Sequence, residues 1–257
     1  MGVKMKTLPV ALQLYSIREE AEKDFVKTMQ EVKKIGYDGV ELAGLYGHSP
    51  EEVRDCLNEI GLIPISAHVA YQEFMGDMQG TVKCYATIGC RYLAIPYLLE
   101  EQRYGTEYFK KVMKNIPEIA MTCKKVGITL LYHNHDFEFT KMDDGVYVLD
   151  YMYQQISEDD LKTELDVCWI KVAGEEPTEY IKKYAGRCPI VHLKDYSKVD
   201  TLEFRALGHG VQDIPAILEA TLKAGAEWVV AEQDSHSEHT PLEDAILSRE
   251  YLKSLAW

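Results

Sequence analysis

Carboxylate, imidazole and ammonium side chains follow short apolar segments at several points along this chain. Three of them, Asp166, His192 and Glu232, come at the ends of three different segments, and Glu138 or a nearby histidine supplies a fourth group. Oxygen and imidazole donors in this mixture suit a hard or borderline divalent ion such as Mn²⁺, Mg²⁺, Co²⁺ or Zn²⁺. The residue types therefore predict a site for one divalent metal ion.

Two histidines and one lysine near this set could bind metal or move protons. His133 and His135 lie two residues apart on a predicted strand, so both side chains can face the same way. They either bind the metal themselves, or hydrogen-bond substrate and act as acid and base near neutral pH. Lys194 follows His192 by two residues, and its ammonium either stabilises an enolate oxygen or pairs with a carboxylate.

Further residues near the same strand ends are candidates for substrate contacts. Their imidazole, carboxylate and amide groups can hydrogen-bond to hydroxyl groups, and an aromatic ring can form an apolar wall beside a sugar. The alternative for each is a structural role, as a satisfied polar group, a turn residue or a packed ring. The predicted substrate-binding residues are Glu41, His68, His133, Asn134, Trp169 and His209.

Eight predicted strands, each followed by a helix, must position these residues. The strands are apolar on both faces, which indicates a parallel sheet covered by helices. Eight such units in 257 residues match a closed (β/α)₈ TIM barrel, whose strands end at one mouth where active sites lie. An open doubly wound sheet would usually carry a glycine-rich turn after its first strand, and residues 14–18 contain no glycine. We predict one barrel domain over residues 1–257.

The predicted strands are 10–15, 39–43, 63–69, 92–96, 128–133, 162–167, 188–194 and 227–232. The predicted helices include 25–35, 78–88, 107–126, 146–156, 177–185, 213–224 and 242–255.

Charge and composition exclude several classes of partner. The chain has 28 Lys and Arg against 42 Asp and Glu, a formal net charge of −14, which repels nucleic acid and anionic membrane surfaces. No signal peptide and no apolar run long enough to span a membrane is found. The six cysteines form no C-x-x-C pair, as expected of reduced thiols. We expect a cytoplasmic protein with a small-molecule partner and neither a nucleic-acid nor a membrane partner.

The segments YHNHDFEF, ELDVCW, HLKD and AEQD, in this order, resemble the xylose isomerase-like TIM barrel superfamily of sugar phosphate isomerases and epimerases. The opening LQLYSIR and the segment VELAG fit the same family, so the resemblance covers essentially the whole chain. Members include ketose 3-epimerases and inosose isomerases and dehydratases. The resemblance implies one divalent ion, with Mn²⁺ as the first choice. The family holds this ion with Glu, Asp, His and Glu from four strands. Since these barrels often pair, it also allows a homo-oligomer.

Carried over by motif, the second, third and fourth ligands of the family match Asp166, His192 and Glu232. The first ligand stays open, because the corresponding glutamate aligns here with Tyr132. Glu138, the nearest carboxylate, lies six residues later, where the epimerases carry a glutamate that contacts substrate. Either Glu138 reaches the metal, or a histidine of residues 133–135 replaces it.

The metal site and the resemblance together favour chemistry on the carbon beside a carbonyl. A divalent ion chelated by a hydroxyl and an adjacent carbonyl acidifies this C–H and stabilises the ene-diolate. We predict an isomerase or epimerase for a sugar, sugar phosphate or cyclitol, with Glu232 and either Glu138 or His135 as the proton-transfer pair and Lys194 as a further catalytic residue. One alternative is a lyase or dehydratase for an inosose or a 3-keto-glycoside. Another is a sugar-binding barrel without catalysis.

Overall fold

Eight parallel strands close into a barrel in a computed structural model that describes residues 7–198 and 202–257, which confirms the predicted TIM barrel. Two further short strands, Asp195–Tyr196 and Phe204–Arg205, pair as an antiparallel ribbon outside the barrel, and the sequence did not predict them. In chain order the strands are β1 (Val10–Gln13), β2 (Gly39–Leu42), β3 (Ile63–His68), β4 (Tyr92–Ile95), β5 (Thr129–His133), β6 (Lys162–Asp166), β7 (Ile190–Leu193), β8 (Asp195–Tyr196), β9 (Phe204–Arg205) and β10 (Trp228–Ala231).

Helices connect the strands and cover the barrel. The helix after Ser49 begins with a capping box, in which the side chains of Ser49 and Glu52 each accept a hydrogen bond from the other's main-chain amide. None of the described helices is long and apolar enough to cross a membrane. The helices are α1 (Arg18–Lys23), α2 (Phe25–Ile35), α3 (Pro50–Ile60), α4 (Tyr71–Ile88), α5 (Glu107–Lys124), α6 (Val148–Gln155), α7 (Val167–Val172), α8 (Pro177–Lys183), α9 (Ile214–Lys223) and α10 (Pro241–Ser254).

Helix α4 begins seven residues before the predicted start at residue 78. Its backbone leaves helical geometry at Asp77, with φ −151° and ψ 82°, and the Asp77 carboxylate accepts a hydrogen bond from the amide of Gly80. Asp77 therefore acts as a cap for the second part of the helix. The sequence pattern predicted only this second part, from residue 78 onward.

The barrel interior has an apolar floor and a polar upper layer. Because alternate residues of a strand share a face, several strands contribute an apolar residue low in the barrel and a polar one above it. On β5, for example, Leu131 packs in the floor and His133 lies two residues nearer the mouth; on β7, Ile190 and His192 do the same. The floor cluster consists of Ala11, Ile65, Tyr92, Ala94, Leu131, Ile190 and Val230.

Candidate metal centre

Four potential metal ligands from four barrel strands meet where the strands end. His133 ends β5, Asp166 ends β6, His192 lies in β7 and Glu232 directly follows β10. One donor atom from each lies within 4.8 Å of the others, and all four residues are buried. The register aligns Asp166 with His192 across neighbouring strands. We call these four residues the mouth set.

A second group of polar residues lies against the mouth set, and we call it the deep cluster because its two carboxylates, those of Glu41 and Glu164, are fully buried. It consists of Glu41, His68 and Glu164, the last of which precedes Asp166 by two residues on β6. Nε2 of His68 lies 2.7 Å from Glu164 and 3.2 Å from Glu41. Burial lowers the pKa of His68, but these two carboxylates outweigh it and raise the pKa above its usual value. The deep cluster therefore favours an imidazolium between two carboxylates.

The mouth set has the donor chemistry that a divalent ion requires. Oδ2 of Asp166 is buried and makes no hydrogen bond of good geometry with the described residues. Nε2 of His133 lies 3.6 Å from this oxygen, and Nδ1 of His192 lies 2.8 Å from Oε2 of Glu232. Two carboxylates and two imidazoles form a set that Mn²⁺, Co²⁺ and Zn²⁺ accept. The residues present fit such an ion.

Lys194 lies beside the mouth set as a buried cation. Its Nζ is 3.0 Å from Oδ2 of Asp166, 3.0 Å from Oε2 of Glu232 and 2.9 Å from Oδ1 of Asp234. Burial lowers the pKa of Lys194, but these carboxylates outweigh it and raise the pKa well above its usual value. The ammonium is therefore charged at neutral pH, and its charge is balanced inside the site.

A cavity of about 510 Å³ opens above the mouth set. Its volume falls in the range of about 300–1,000 Å³ in which proteins hold small molecules. Two tyrosine rings on its wall, Tyr15 and Tyr97, are 44% and 41% exposed, and a guanidinium group lies over each ring, that of Arg18 and that of Arg103. The lining residues are Tyr15, Ala43, Gly44, His68, Ala70, Glu73, Pro96, Tyr97, His133, His135, Lys194, Glu232 and Asp234.

His135 lies on the cavity wall among aromatic rings. Its ring centroid is 5.1 Å from that of Tyr97, 5.7 Å from that of Phe137 and 5.0 Å from that of Trp169. Burial, together with neighbouring His133, lowers the pKa of His135 well below its usual value, so the ring is neutral. Its Nδ1 is buried and has no hydrogen-bonding partner in the described residues. Because the neutral ring also lines the cavity, it can exchange a proton or a hydrogen bond with a ligand there.

Glu138 lies in neither group of metal-binding residues found in the described chain. After β5 the chain forms a short 3₁₀ turn at Phe137–Phe139, and this turn directs the Glu138 carboxylate to the hydroxyl of Tyr132, at 2.5 Å, and to the amide of His135, at 2.8 Å. On its other side Glu138 borders a separate cavity of about 190 Å³. In this geometry Glu138 holds the loop that carries His135.

Substitution of Glu138 should change how stability depends on pH. Burial raises the pKa of Glu138 from 4.5 to about 7, against hydrogen bonds from Tyr132 and His135. The folded state therefore holds this proton more tightly than the unfolded chain, so its contribution to stability is complete below pH 4.5 and is lost as the pH rises toward 7. This shift corresponds to about 3 kcal/mol.

We expect the stability of wild type relative to Glu138→Gln to fall by about 3 kcal/mol between about pH 4 and pH 7.5. Urea unfolding of both proteins at several pH values measures it. Other carboxylates titrate equally in both proteins, so the difference isolates Glu138. Parallel pH profiles for the two proteins would contradict the prediction.

Three predicted substrate-binding residues do not line the main cavity. The side-chain amide of Asn134 bonds to the main-chain amide and carbonyl of Asp166, which ties β5 to β6. Trp169 packs its ring against His135 and lies behind the cavity wall. His209 lines a shallow separate depression. Of the others, His68 and His133 line the cavity, and Glu41 lies beneath it in the deep cluster.

Glu164, Tyr97 and Asp234 belong to the site, although the sequence analysis did not select them. A signal for Glu164 was present, since it precedes Asp166 by two residues and alternate strand residues share a face. Asp234 similarly follows Glu232 by two residues. Tyr97 comes two residues after the end of β4, in a loop where no periodic pattern predicts the direction of a side chain.

A family model and several curated proteins match most of this chain. The family model described as "Xylose isomerase-like TIM barrel" matches residues 29–255. Inosose dehydratase from Geobacillus kaustophilus is 21% identical, with 89% of this chain and 86% of the relative covered. Inosose dehydratase from Clostridium botulinum is 24% identical, with 91% of each covered.

Solved structures share the fold. A sugar phosphate isomerase/epimerase from Parabacteroides distasonis superimposes with a TM-score of 0.80 at 21% identity, covering 98% of this chain and 96% of that one. The IOLI protein, whose crystal structure holds a zinc atom, gives a TM-score of 0.78 at 17% identity, covering 96% and 98%. At these identities the likeness concerns the fold alone.

Proposed function

The chain belongs to the xylose isomerase-like TIM barrel family, and on that premise we propose that it is a divalent-metal-dependent isomerase or epimerase of a keto sugar or keto cyclitol. The observation that carries this proposal is the buried mouth set of two imidazoles and two carboxylates beside an open cavity. Carboxylates, imidazoles and an ammonium line the same cavity, so binding and proton transfer can take place at one position.

We assign the mouth set as the metal ligands, with His133 in the place of the family's first glutamate. The alternative first ligand, Glu138, is engaged with Tyr132 and with the amide of His135. A divalent ion bound here would polarise the substrate carbonyl and stabilise the ene-diolate that forms when the neighbouring proton leaves. Mn²⁺ is our first choice of ion, with Co²⁺, Zn²⁺ and Mg²⁺ as alternatives.

Proton transfer is assigned to Glu232 and His135, on different walls of the cavity. Glu232 follows β10 and His135 follows β5, which are separated in the barrel by β7 and β6. Burial raises the pKa of Glu232, but Lys194 and His192 outweigh it and hold the pKa well below its usual value, so the carboxylate is ionised. Neutral His135 can accept or return a proton, and the Lys194 ammonium can hydrogen-bond to a developing oxyanion.

The charges around the cavity favour a substrate without a phosphate group. Lys194 is the one lysine or arginine among the described lining residues, and three carboxylates already pair with it. Glu73 and Asp234 add negative charge to the wall. Arg18, near the mouth, donates to the main-chain carbonyls of Tyr15 and Asp234. A phosphate would meet these carboxylates without an unpaired lysine or arginine among the described lining residues to balance it, so we propose a free sugar or cyclitol.

A dehydratase is the second candidate function. The curated relatives named above are inosose dehydratases, and the similarity extends over most of each chain. Elimination begins with the same loss of a proton beside the carbonyl, and differs in that a hydroxyl group then leaves the neighbouring carbon. His135 or Lys194 could protonate that hydroxyl.

Deuterium exchange tests both functions. Protein loaded with Mn²⁺ is incubated in D₂O with free keto sugars and inososes and with their phosphate esters, and products are followed by NMR and mass spectrometry.

We expect deuterium beside the carbonyl of a free compound and little exchange in its ester. A product whose mass differs from that of its substrate only by deuterium supports the isomerase or epimerase. A product that has lost the mass of water supports the dehydratase. Metal-stripped protein is the control. No exchange in any compound contradicts both and leaves a sugar-binding barrel.

A further inference from the structure

We propose that Glu164 is the positioning residue of the metal centre. Its carboxylate lies behind the ligands and determines which nitrogen of His133 faces the ion. It follows that each chain binds one ion, in the mouth set, although two sets of residues could each hold an ion. This inference rests on the proposed function, because it concerns the ligands of the proposed metal.

Two overlapping groups in the described chain could hold an ion. One is the mouth set, and the other combines His68 and Glu164 with His133 and His192. Both groups therefore need the same two imidazoles. A neutral imidazole has one nitrogen with a free lone pair, because the other carries the proton. The two groups cannot both be filled by neutral imidazoles, so the side on which each lone pair lies decides which group binds.

The contacts of His133 put its lone pair on the mouth side. Nδ1 of His133 is 3.1 Å from Oε2 of Glu164 in a hydrogen bond, whereas Nε2 is 3.6 Å from Oδ2 of Asp166. A carboxylate can only accept, so it takes a hydrogen bond from the N–H of Nδ1, which leaves the lone pair of Nε2 free to bind metal. Histidine ligands in metal sites commonly donate their second nitrogen to a carboxylate in this way, which fixes the tautomer and the ring orientation.

His192 differs from His133, because its hydrogen bond of good geometry joins Nδ1 to Glu232 on the mouth side. An ion in the mouth set would replace the proton of Nδ1, and the N–H of Nε2 would then face the deep carboxylates. Nδ1 lies 2.8 Å from Glu232 in the mouth set, whereas Nε2 lies 2.7 Å from Glu41 and 3.4 Å from Glu164, at ion-pair distance rather than in hydrogen bonds of good geometry. The deep carboxylates thus lie behind both ligating rings. The hydrogen bonds that Glu164 accepts in the described chain both come from imidazoles, those of His68 and His133.

The three imidazole rings pack against one another and so limit rotation of the ligands. The ring of His68 stacks on that of His192, with centroids 5.3 Å apart, and His133 packs edge-on against both, at 4.8 and 4.7 Å. If the His133 ring turned to offer its other nitrogen, it would lose its hydrogen bond to Glu164. The deep cluster therefore orients the ligands and does not hold a second ion.

Metal titrations of Glu164→Gln and Glu164→Asp test this role. We expect wild type to bind one equivalent of Co²⁺ or Mn²⁺, and both variants to bind it about 10–100-fold more weakly. Glu164→Asp keeps the negative charge but withdraws the oxygens from His133, so it separates positioning from simple charge attraction. The visible absorption spectrum of bound Co²⁺ should also change in both variants, because a disturbed His133 alters the ligand field.

Glu73→Gln is the matched control, since it removes one negative charge from the exposed cavity wall without touching an imidazole; we expect its affinity to stay within about twofold of wild type. Circular dichroism of the metal-free proteins monitors the fold. Wild-type affinity in Glu164→Asp, or two bound ions in wild type with one lost in Glu164→Gln, would overturn the inference. A wild-type protein that binds no ion overturns this inference and the proposed function together.

Discussion

Asp166→Asn should abolish stoichiometric metal binding and reduce kcat/KM by about 1,000-fold or more, since a metal ion supplies several kcal/mol of transition-state stabilisation. The two carboxylate oxygens of Asp166 have separate tasks. Oδ1 accepts hydrogen bonds from the amides of Cys168 and Trp169, at 2.8 and 3.2 Å, and so caps α7. Oδ2 faces His133 and Lys194 in the site. Asparagine keeps the capping oxygen and replaces the other with an amide nitrogen, which does not bind metal.

Metal content after dialysis, turnover of the substrate identified by deuterium exchange, and circular dichroism measure the effect of Asp166→Asn. Asp234→Asn is the control for metal content, because Asp234 also pairs with Lys194 but lies outside the mouth set. We expect Asp234→Asn to retain one equivalent of ion. A folded Asp166→Asn protein that retains a full equivalent would show that the ion lies elsewhere.

Lys194→Met should destabilise the metal-free protein by about 3–5 kcal/mol, the usual cost of removing one partner of a buried ion pair. Lys194 is 1% exposed and pairs with three carboxylates, of which Asp166 and Glu232 are buried. Methionine has a similar length but no charge, so these carboxylates lose their nearest cation. A divalent ion supplies positive charge to the same two oxygens, and it should therefore restore much of the lost stability.

Urea unfolding of wild type and Lys194→Met, each with and without Mn²⁺, measures both effects. Lys171→Met is the comparison, because Lys171 also pairs with a carboxylate, Glu176 at 2.7 Å, but the two side chains are 43% and 51% exposed. Exposed pairs contribute about 0–1 kcal/mol, so this variant should change little and should not respond to the ion. Equal destabilisation in the two variants would contradict a special role for Lys194.

The alternation of apolar strands with amphipathic helices was sufficient to predict the barrel, because periodicity and turn residues are local properties of the chain. The same local rules placed Asp166, His192 and Glu232 at strand ends, where the closed barrel does bring them together. Closure follows from eight similar units, each of which must bury both faces of its strand.

The contacts between distant strands were beyond reach of the sequence. Whether His133 or Glu138 accompanies Asp166 depends on the 3₁₀ turn after β5, which directs Glu138 to Tyr132 and away from the mouth. Glu164 was visible as a polar strand residue, but its place behind two imidazoles depends on the register of β5, β6 and β7. Strand patterns specify the face on which a side chain lies. Which side chains meet across that face is set by the register of neighbouring strands and by closure of the barrel, which together bring residues distant in sequence within bonding distance.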